Sequence, residues 1–266
     1  MFGLVCVTMK KGVISEVIPI GTLFFISHQL AITARHNLGT DDVVVNGTTF
    51  GAVKTLSAGV SVKVSDVVEM VCVYDCVGED WAILKAVHED APTSPSRTFV
   101  EICEENELPA RRECIGIKDF PVGMLSTASS TKLTVASTNV KIQQYEPRKQ
   151  NNSRRKLTNK FTVVADDSYD ATTADVVEDV IVVSCGRVMG SCGAPYFAAN
   201  GKVVAFHFES VDETPENSSV GSTSHISYSH GYVLCRLPQL YDWYRSLADN
   251  PSSSSPSSSS SSSVHY

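Results

Sequence analysis

Over its first ninety or so residues the chain repeats short apolar runs broken by polar residues or glycine: "GLVCVTM", "GVISEVIPI", "GTLFFIS", "LAIT", "DDVVV", "VSVKVS", "VVEMVCVY" and "WAILKAV". Runs of this length, rich in Val, Ile, Thr and Phe and regularly spaced, predict short antiparallel strands in a barrel or sandwich. From Glu89 to about Arg112 the pattern lapses, and Pro92, Pro95 and Pro109 among mixed charges predict a connection. A second strand-rich half follows in "CIGIKDF", "KLTVAST", "NVKIQQY", "KFTVVA", "VIVVSCG", "APYFAANGKVVAFHF" and "GYVLC". No close internal repeat links the halves. Leu237, Leu240, Tyr241, Tyr244 and Leu247 then fall on one helical face, which predicts a terminal helix on the second half. The Ser-rich end has nothing to bury and should be disordered. The expected organisation is a β-barrel over 1–95, a connection over 96–112, a second barrel over 113–235, a helix over 236–250 and a disordered tail over 251–266.

Composition narrows the function classes. A net charge of −7 argues against a protein whose main partner is a nucleic-acid backbone or an anionic membrane. One local exception is the insert at 148–160, with six lysines and arginines but no interleaved aromatics. It reads as a solvated hairpin tip that could at most touch RNA weakly. No basic leader precedes the first apolar run and no stretch is long enough to span a bilayer, so an intracellular, cytoplasmic setting and a complete reading frame are expected. The eight scattered cysteines fit buried free thiols in a reducing compartment. Cys72 and Cys76 lack a second ligand pair at zinc spacing, and His225 and His230 lie in a Ser-rich segment expected to be a loop. Neither metal nor cofactor is expected, and the oligomeric state is left open.

Three segments carry residues suited to nucleophilic catalysis. Two apolar runs lead into Thr33-Ala34-Arg35-His36, Asp80 directly precedes "WAILKA", and "MGSCGAPYF" places Ser191 beside Cys192. Together and in this order they resemble the trypsin/chymotrypsin-like double β-barrel proteases, with their T-A-x-H, D-x-A-x-L and G-x-(S/C)-G-(G/A)-P patterns. The resemblance covers roughly residues 1 to 250 and implies an all-β fold of two antiparallel six-stranded barrels. It implies a catalytic triad of His36, Asp80 and Cys192, because the family's nucleophile immediately precedes Gly-(Gly/Ala)-Pro. A thiol beside a histidine is readily deprotonated and is the better nucleophile at neutral pH. The backbone N–H groups of Gly190 and Cys192 would form the oxyanion hole.

Within the family the cysteine resembles the picornain-like branch. His207, fifteen residues after Cys192, falls where such enzymes use a histidine to recognise Gln or Glu. Gly186 occupies the pocket-floor position, which excludes the aspartate of a trypsin-like preference. Arg187 stands where a small hydroxyl residue is usual, and would favour Glu over Gln if it enters the pocket. Asn37 follows His36 where a disulfide-forming cysteine is common. The expected activity is therefore that of an endopeptidase acting on peptide or protein substrates. The alternatives are a catalytically silent double barrel that binds an extended peptide along a sheet edge, and a serine-type hydrolase using Ser191.

Overall fold

The computed structural model describes residues 1–11, 13–39, 48–57, 63–76, 79–88, 98–120, 132–147, 179–185, 191–213 and 226–249. In the first half, β1 (Phe2–Lys10), β2 (Val13–Phe25), β3 (Leu30–Ala34), β4 (Thr48–Val53), β6 (Val67–Cys76) and β7 (Trp81–Ala86) form a closed barrel in the order β1-β2-β3-β7-β6-β4. In the second, β8 (Cys114–Asp119), β10 (Ala136–Glu146), β11 (Val180–Val183), β12 (Pro195–Phe197), β13 (Val203–Glu213) and β14 (Ile226–Val233) close as β10-β11-β14-β13-β12-β8. Numbered within each half, both rings run first-second-third-sixth-fifth-fourth. The repeat invisible in sequence is thus explicit in topology, since strand order constrains only which positions face inward and not which apolar residue fills them. Two short strands, β5 (Thr55–Ser57) and β9 (Lys132–Thr134), pair as a separate ribbon between the halves.

Several elements depart from the sequence pattern. "GVISEVIPI" and "GTLFFIS" are one strand, β2. Its Pro19 and Gly21 do not end it, because Leu4 pairs with Gly21 and Val5 with Pro19, leaving Ile20 as the extra residue of a bulge. Of "VSVKVS", Val64 and Ser65 join the following Asp66 in a single 3-10 turn closed by the Asp66 N–H on Lys63 O. His230 lies on β14, not in a loop, because "ISYSHGYV" alternates larger side chains with Ser and Gly at strand period. The runs "DDVVV" and "KFTVVA", His225, the basic insert 148–160 and the tail 251–266 fall outside the described residues.

Separate apolar clusters fill the barrels. Phe2, Leu4, Leu23, Phe25 and Met70 are among those filling the first, and Ile117, Ile142, Val183, Tyr196 and Val233 among those filling the second. A further cluster lies between them, where Phe24, Ile32, Trp81 and Ile83 of the first barrel meet Val203 and Phe206 of the second. Leu237 and Leu240, at the start of helix α1 (Pro238–Asp249), complete this cluster. The helix therefore packs on a seam contributed by both barrels, and not on the second half alone. Burying each such side chain stabilises the docked arrangement by about 1.5–3 kcal/mol. The connecting segment is also ordered by both barrels, through bridges from Phe99 to Phe25 and from Ile102 to Val203. All eight cysteines are free. Among the described residues no helix is long and apolar enough to cross a membrane.

Candidate active site

Strand register places the first two site residues. β3 and β7 pair with Ala34 opposite Trp81, so the residues just beyond these ends, Arg35-His36 and Asp80, must meet at the barrel rim. Asp80 adopts a left-handed backbone (φ 54°), a conformation that Asp tolerates better than most residues. In this conformation its carbonyl accepts the Arg35 N–H at 2.9 Å and its Oδ1 accepts the His36 N–H at 2.9 Å. These bonds hold the first residues of the 3-10 turn Arg35–Leu38. The other carboxylate oxygen, Oδ2, lies 2.7 Å from His36 Nδ1. A carboxylate only accepts, so Nδ1 carries the proton and Nε2 is left for the reacting partner.

The Cys192 thiol is the second group that acts on the His36 ring. Burial lowers the His36 pKa. The hydrogen bonds to Asp80 and to Cys192 outweigh it and carry the imidazole up to about 10. The side chain of His36 is nevertheless 43% exposed, which leaves the pair open to an incoming group. The thiol also lies 3.6 Å from the carbonyl oxygen of Phe208. Phe208 is the extra residue of a bulge in β13, because His207 pairs with Gly231 while Glu209 pairs with His230. The bulge frees the Phe208 backbone from the ladder beside the thiol.

Cys192 sits in a four-residue turn closed by the Ala194 N–H on Ser191 O at 2.9 Å. Gly193 is its third residue with φ 86°, the positive angle a type II turn needs there. A side chain at this position would bring Cβ within 2.1 Å of Thr22 O. The turn is pinned to β13 by the Gly193 N–H on His207 O and the His207 N–H on Ala194 O, both at 2.8 Å. It is pinned to the first barrel by the Thr22 N–H and Asn37 Nδ2, which both donate to Cys192 O at 2.9 Å. Ser191 faces the other way. It is fully buried, and its Oγ donates to Asp119 Oδ2 at 2.6 Å.

His207 is 2% exposed beside this turn. Its Nδ1 lies 2.9 Å from Tyr196 Oη, and its Nε2 lies 3.4 Å from Ser210 Oγ. The structure therefore brings His36, Asp80 and Cys192 together, with His207 adjoining. Gly186, Arg187 and Gly190 lie outside the described residues. The sequence motifs single out neither Thr22, Asp119, Tyr196 nor Ser210, include Thr33 only as the start of T-A-x-H, and mark Asn37 only as a missing cysteine. Tyr196 had a usable signal, being a polar group in the middle of the otherwise apolar strand β12.

Two closed barrels of identical strand order, with polar residues gathered at their seam, define the chymotrypsin-like double-barrel fold. No protein-family model matches the chain and no curated protein matches it. Among solved structures, the active form of the Rv3671c protease from M. tuberculosis is similar with a TM-score of 0.51 at 14% identity, over 91% of this chain and 79% of that one. An inactive serine-to-alanine mutant of Rv3671c from M. tuberculosis H37Rv has a TM-score of 0.49 at 13% identity, over 91% and 86%. The HtrA-type protease AlgW with a decapeptide has a TM-score of 0.48 at 12% identity, over 88% and 53%. At these identities the likeness is one of fold, and these neighbours are proteases.

Proposed function

We propose that the chain is an endopeptidase with Cys192 as nucleophile, His36 as base and acid, and Asp80 as the group that orients His36. The observation that carries this reading is the convergence on one imidazole, His36, of the Asp80 carboxylate, 2.7 Å from Nδ1, and the Cys192 thiol, which acts on the same ring. Ser191 is the weaker candidate because it is buried and its hydroxyl is engaged by Asp119.

The chemistry follows from these positions. The thiol proton passes to His36 Nε2, and the thiolate forms a bond to the substrate carbonyl carbon. The resulting oxyanion is met by the Cys192 N–H and, in this reading, the Gly190 N–H. Imidazolium then protonates the departing amine as the C–N bond breaks, leaving a thioester. His36 takes a proton from water, whose oxygen attacks the thioester. The S–C bond breaks, the proton returns from His36 to the departing sulfur, and the acid leaves. Asp80 keeps the ring in the tautomer that both steps need.

For the residue before the scissile bond we favour Gln or Glu. If the Tyr196 hydroxyl donates to His207 Nδ1, the neutral imidazole presents an Nε2–H donor, which suits a carboxamide or carboxylate oxygen. Arg187, where it faces the pocket, would tilt the preference toward Glu.

Intact-mass analysis after brief iodoacetamide treatment at mildly acidic pH tests the nucleophile. The expected result is one fast adduct at Cys192 that is slowed at least about 10²-fold in His36→Ala. A Cys192 no faster than the other seven thiols would overturn it. A peptide panel with Glu, Gln, Lys, Phe or Leu before the scissile bond tests the pocket, and equal cleavage throughout would overturn the Gln/Glu preference.

A further inference from the structure

We infer that Asn37 is a positioning residue that fixes the distance between base and nucleophile across the barrel seam; the inference rests on the assignment of His36 and Cys192 above. Asn37 belongs to the same 3-10 turn as His36 and follows it directly in the chain. Its Nδ2 donates to Cys192 O at 2.9 Å and to Thr33 Oγ1 at 3.0 Å. The orientation of the carboxamide is fixed by chemistry, because a backbone carbonyl can only accept. Both amide hydrogens are thereby committed. Thr33 Oγ1 in turn donates to Thr22 O at 2.8 Å, and the Thr22 N–H donates to the same Cys192 carbonyl at 2.9 Å. Asn37, Thr33, Thr22 and Cys192 close a ring of four hydrogen bonds. Three of its members belong to the first barrel and the fourth is the nucleophile's own residue.

The fold makes room for this side chain. Gly21, buried on β2, lies flat against the carboxamide, and a Cβ there would fall 2.3 Å from Asn37 Nδ2 and 2.6 Å from its Cγ. A larger residue at 21 and the observed Asn37 rotamer are mutually exclusive. His36 is consequently tied to Cys192 by one peptide bond and one side-chain hydrogen bond, in addition to the reacting contact itself. A few tenths of an ångström lost in that tie would lengthen the thiol–imidazole contact, on which the ion pair depends.

The test uses the full chain and reads Cys192 alkylation by iodoacetamide against pH, alongside cleavage of the best Gln or Glu peptide. Asn37→Ala is expected to slow Cys192 alkylation at mildly acidic pH, and to lower kcat, by about 10–100-fold while KM moves less than about threefold. Asn37→Asp keeps the shape but sets a carboxylate oxygen against the Cys192 carbonyl, and is expected to be at least as slow. A space-filling role predicts the opposite, with Asp close to wild type and only Ala impaired. Met70→Ala, in the core of the first barrel away from the seam, controls for lost stability. Equal slowing there would assign the Asn37 effect to general loosening and overturn the inference. Full alkylation rate and kcat in both Asn37 variants would overturn it too. The underlying assignment fails separately, if wild-type Cys192 is not the fast thiol or if cleavage survives Cys192→Ala.

Discussion

In the first barrel, the bonds that place His36 come from that barrel's own strand ends: Asp80 O on the Arg35 N–H, Asp80 Oδ1 on the His36 N–H, and Asp80 Oδ2 on the ring. In the second barrel, the turn carrying Cys192 is held partly by its own strand β13 and partly by Thr22 and Asn37 of the other barrel. The His36 ring is therefore held by groups of its own barrel, whereas the turn carrying Cys192 is held by groups of both. Joining the halves of a site in this way makes reactivity a report on the seam, as well as on the residues that react.

The largest effects should come from breaking the first barrel's half. His36→Ala should reduce peptide cleavage by about 10⁶-fold, and Asp80→Asn by about 10³–10⁴-fold, because the amide leaves the wrong ring tautomer. Rates on one peptide check both, and activity within tenfold of wild type in either would break the assignment. The pair also leaves a pH signature. His36 is raised from its ordinary 6.5 to about 10, so the folded state holds the proton more tightly than the unfolded chain. Its contribution to stability is full below about pH 6.5 and is lost as pH rises through about 10. The Tm gap between wild type and Asp80→Asn should accordingly narrow on going from pH 6 to pH 10. A gap that widened over this range would reverse the sign.

Gly193→Ala attacks the second half at the seam. The left-handed backbone at this position adds about 1–3 kcal/mol for a residue with a side chain, and the new Cβ meets Thr22 O at 2.1 Å. The turn must move away from the first barrel, so alkylation of Cys192 should fall by about 10²-fold even in the fraction that stays folded. The His36–Asp80 bond, being internal to the first barrel, should survive, and its low-field imidazole proton in NMR is the check. Loss of that proton together with Cys192 reactivity would show the halves to be less independent than the bonding implies.

How much of this was legible in sequence follows the same division. His36 and Asp80 could be located because the motifs around them, T-A-x-H and D-x-A-x-L, resemble those of a known family, and each adjoins an apolar run whose strand end fixes its place. The bonds at the seam left no such trace. Asn37 reaches Cys192 over 155 residues, Thr22 reaches the Phe120 N–H over 98 and Ser191 reaches Asp119 over 72. Neither periodicity nor turn chemistry encodes a partner at that separation. Pro19 and Gly21 misled in the opposite direction, since residues that usually stop a strand were absorbed here by a bulge. The Ser-rich composition around His230 predicts a loop and masks the strand alternation of β14.

Ser191→Ala sharpens the contrast between the neighbouring hydroxyl and thiol. It removes a buried donor from a carboxylate that is 2% exposed, and should lower stability by about 1.5–3 kcal/mol in urea unfolding. Peptide cleavage should stay within about tenfold of wild type, the remaining loss coming from a less firmly held turn. Abolished cleavage with Cys192 alkylation intact would instead transfer the nucleophile to Ser191.

The smallest effect expected is at Tyr196. The Tyr196 hydroxyl and His207 Nδ1 are 2.9 Å apart within the second barrel, where the tyrosine is fully buried. If the hydroxyl donates, it holds the imidazole neutral with its proton on Nε2. Tyr196→Phe withdraws that donor without changing the packing, and the ring becomes free to take the other tautomer or a second proton. A peptide with Gln before the scissile bond needs the Nε2–H and tolerates no exchange of tautomer, whereas one with Glu gains if the ring protonates. The variant should therefore lose several-fold in kcat/KM for the Gln peptide and less for the Glu peptide. Because His207 holds the turn through its backbone N–H and carbonyl, Cys192 alkylation should not change. A parallel fall in alkylation would mean that Tyr196 acts on the turn, and so on the reacting pair, instead of on the pocket.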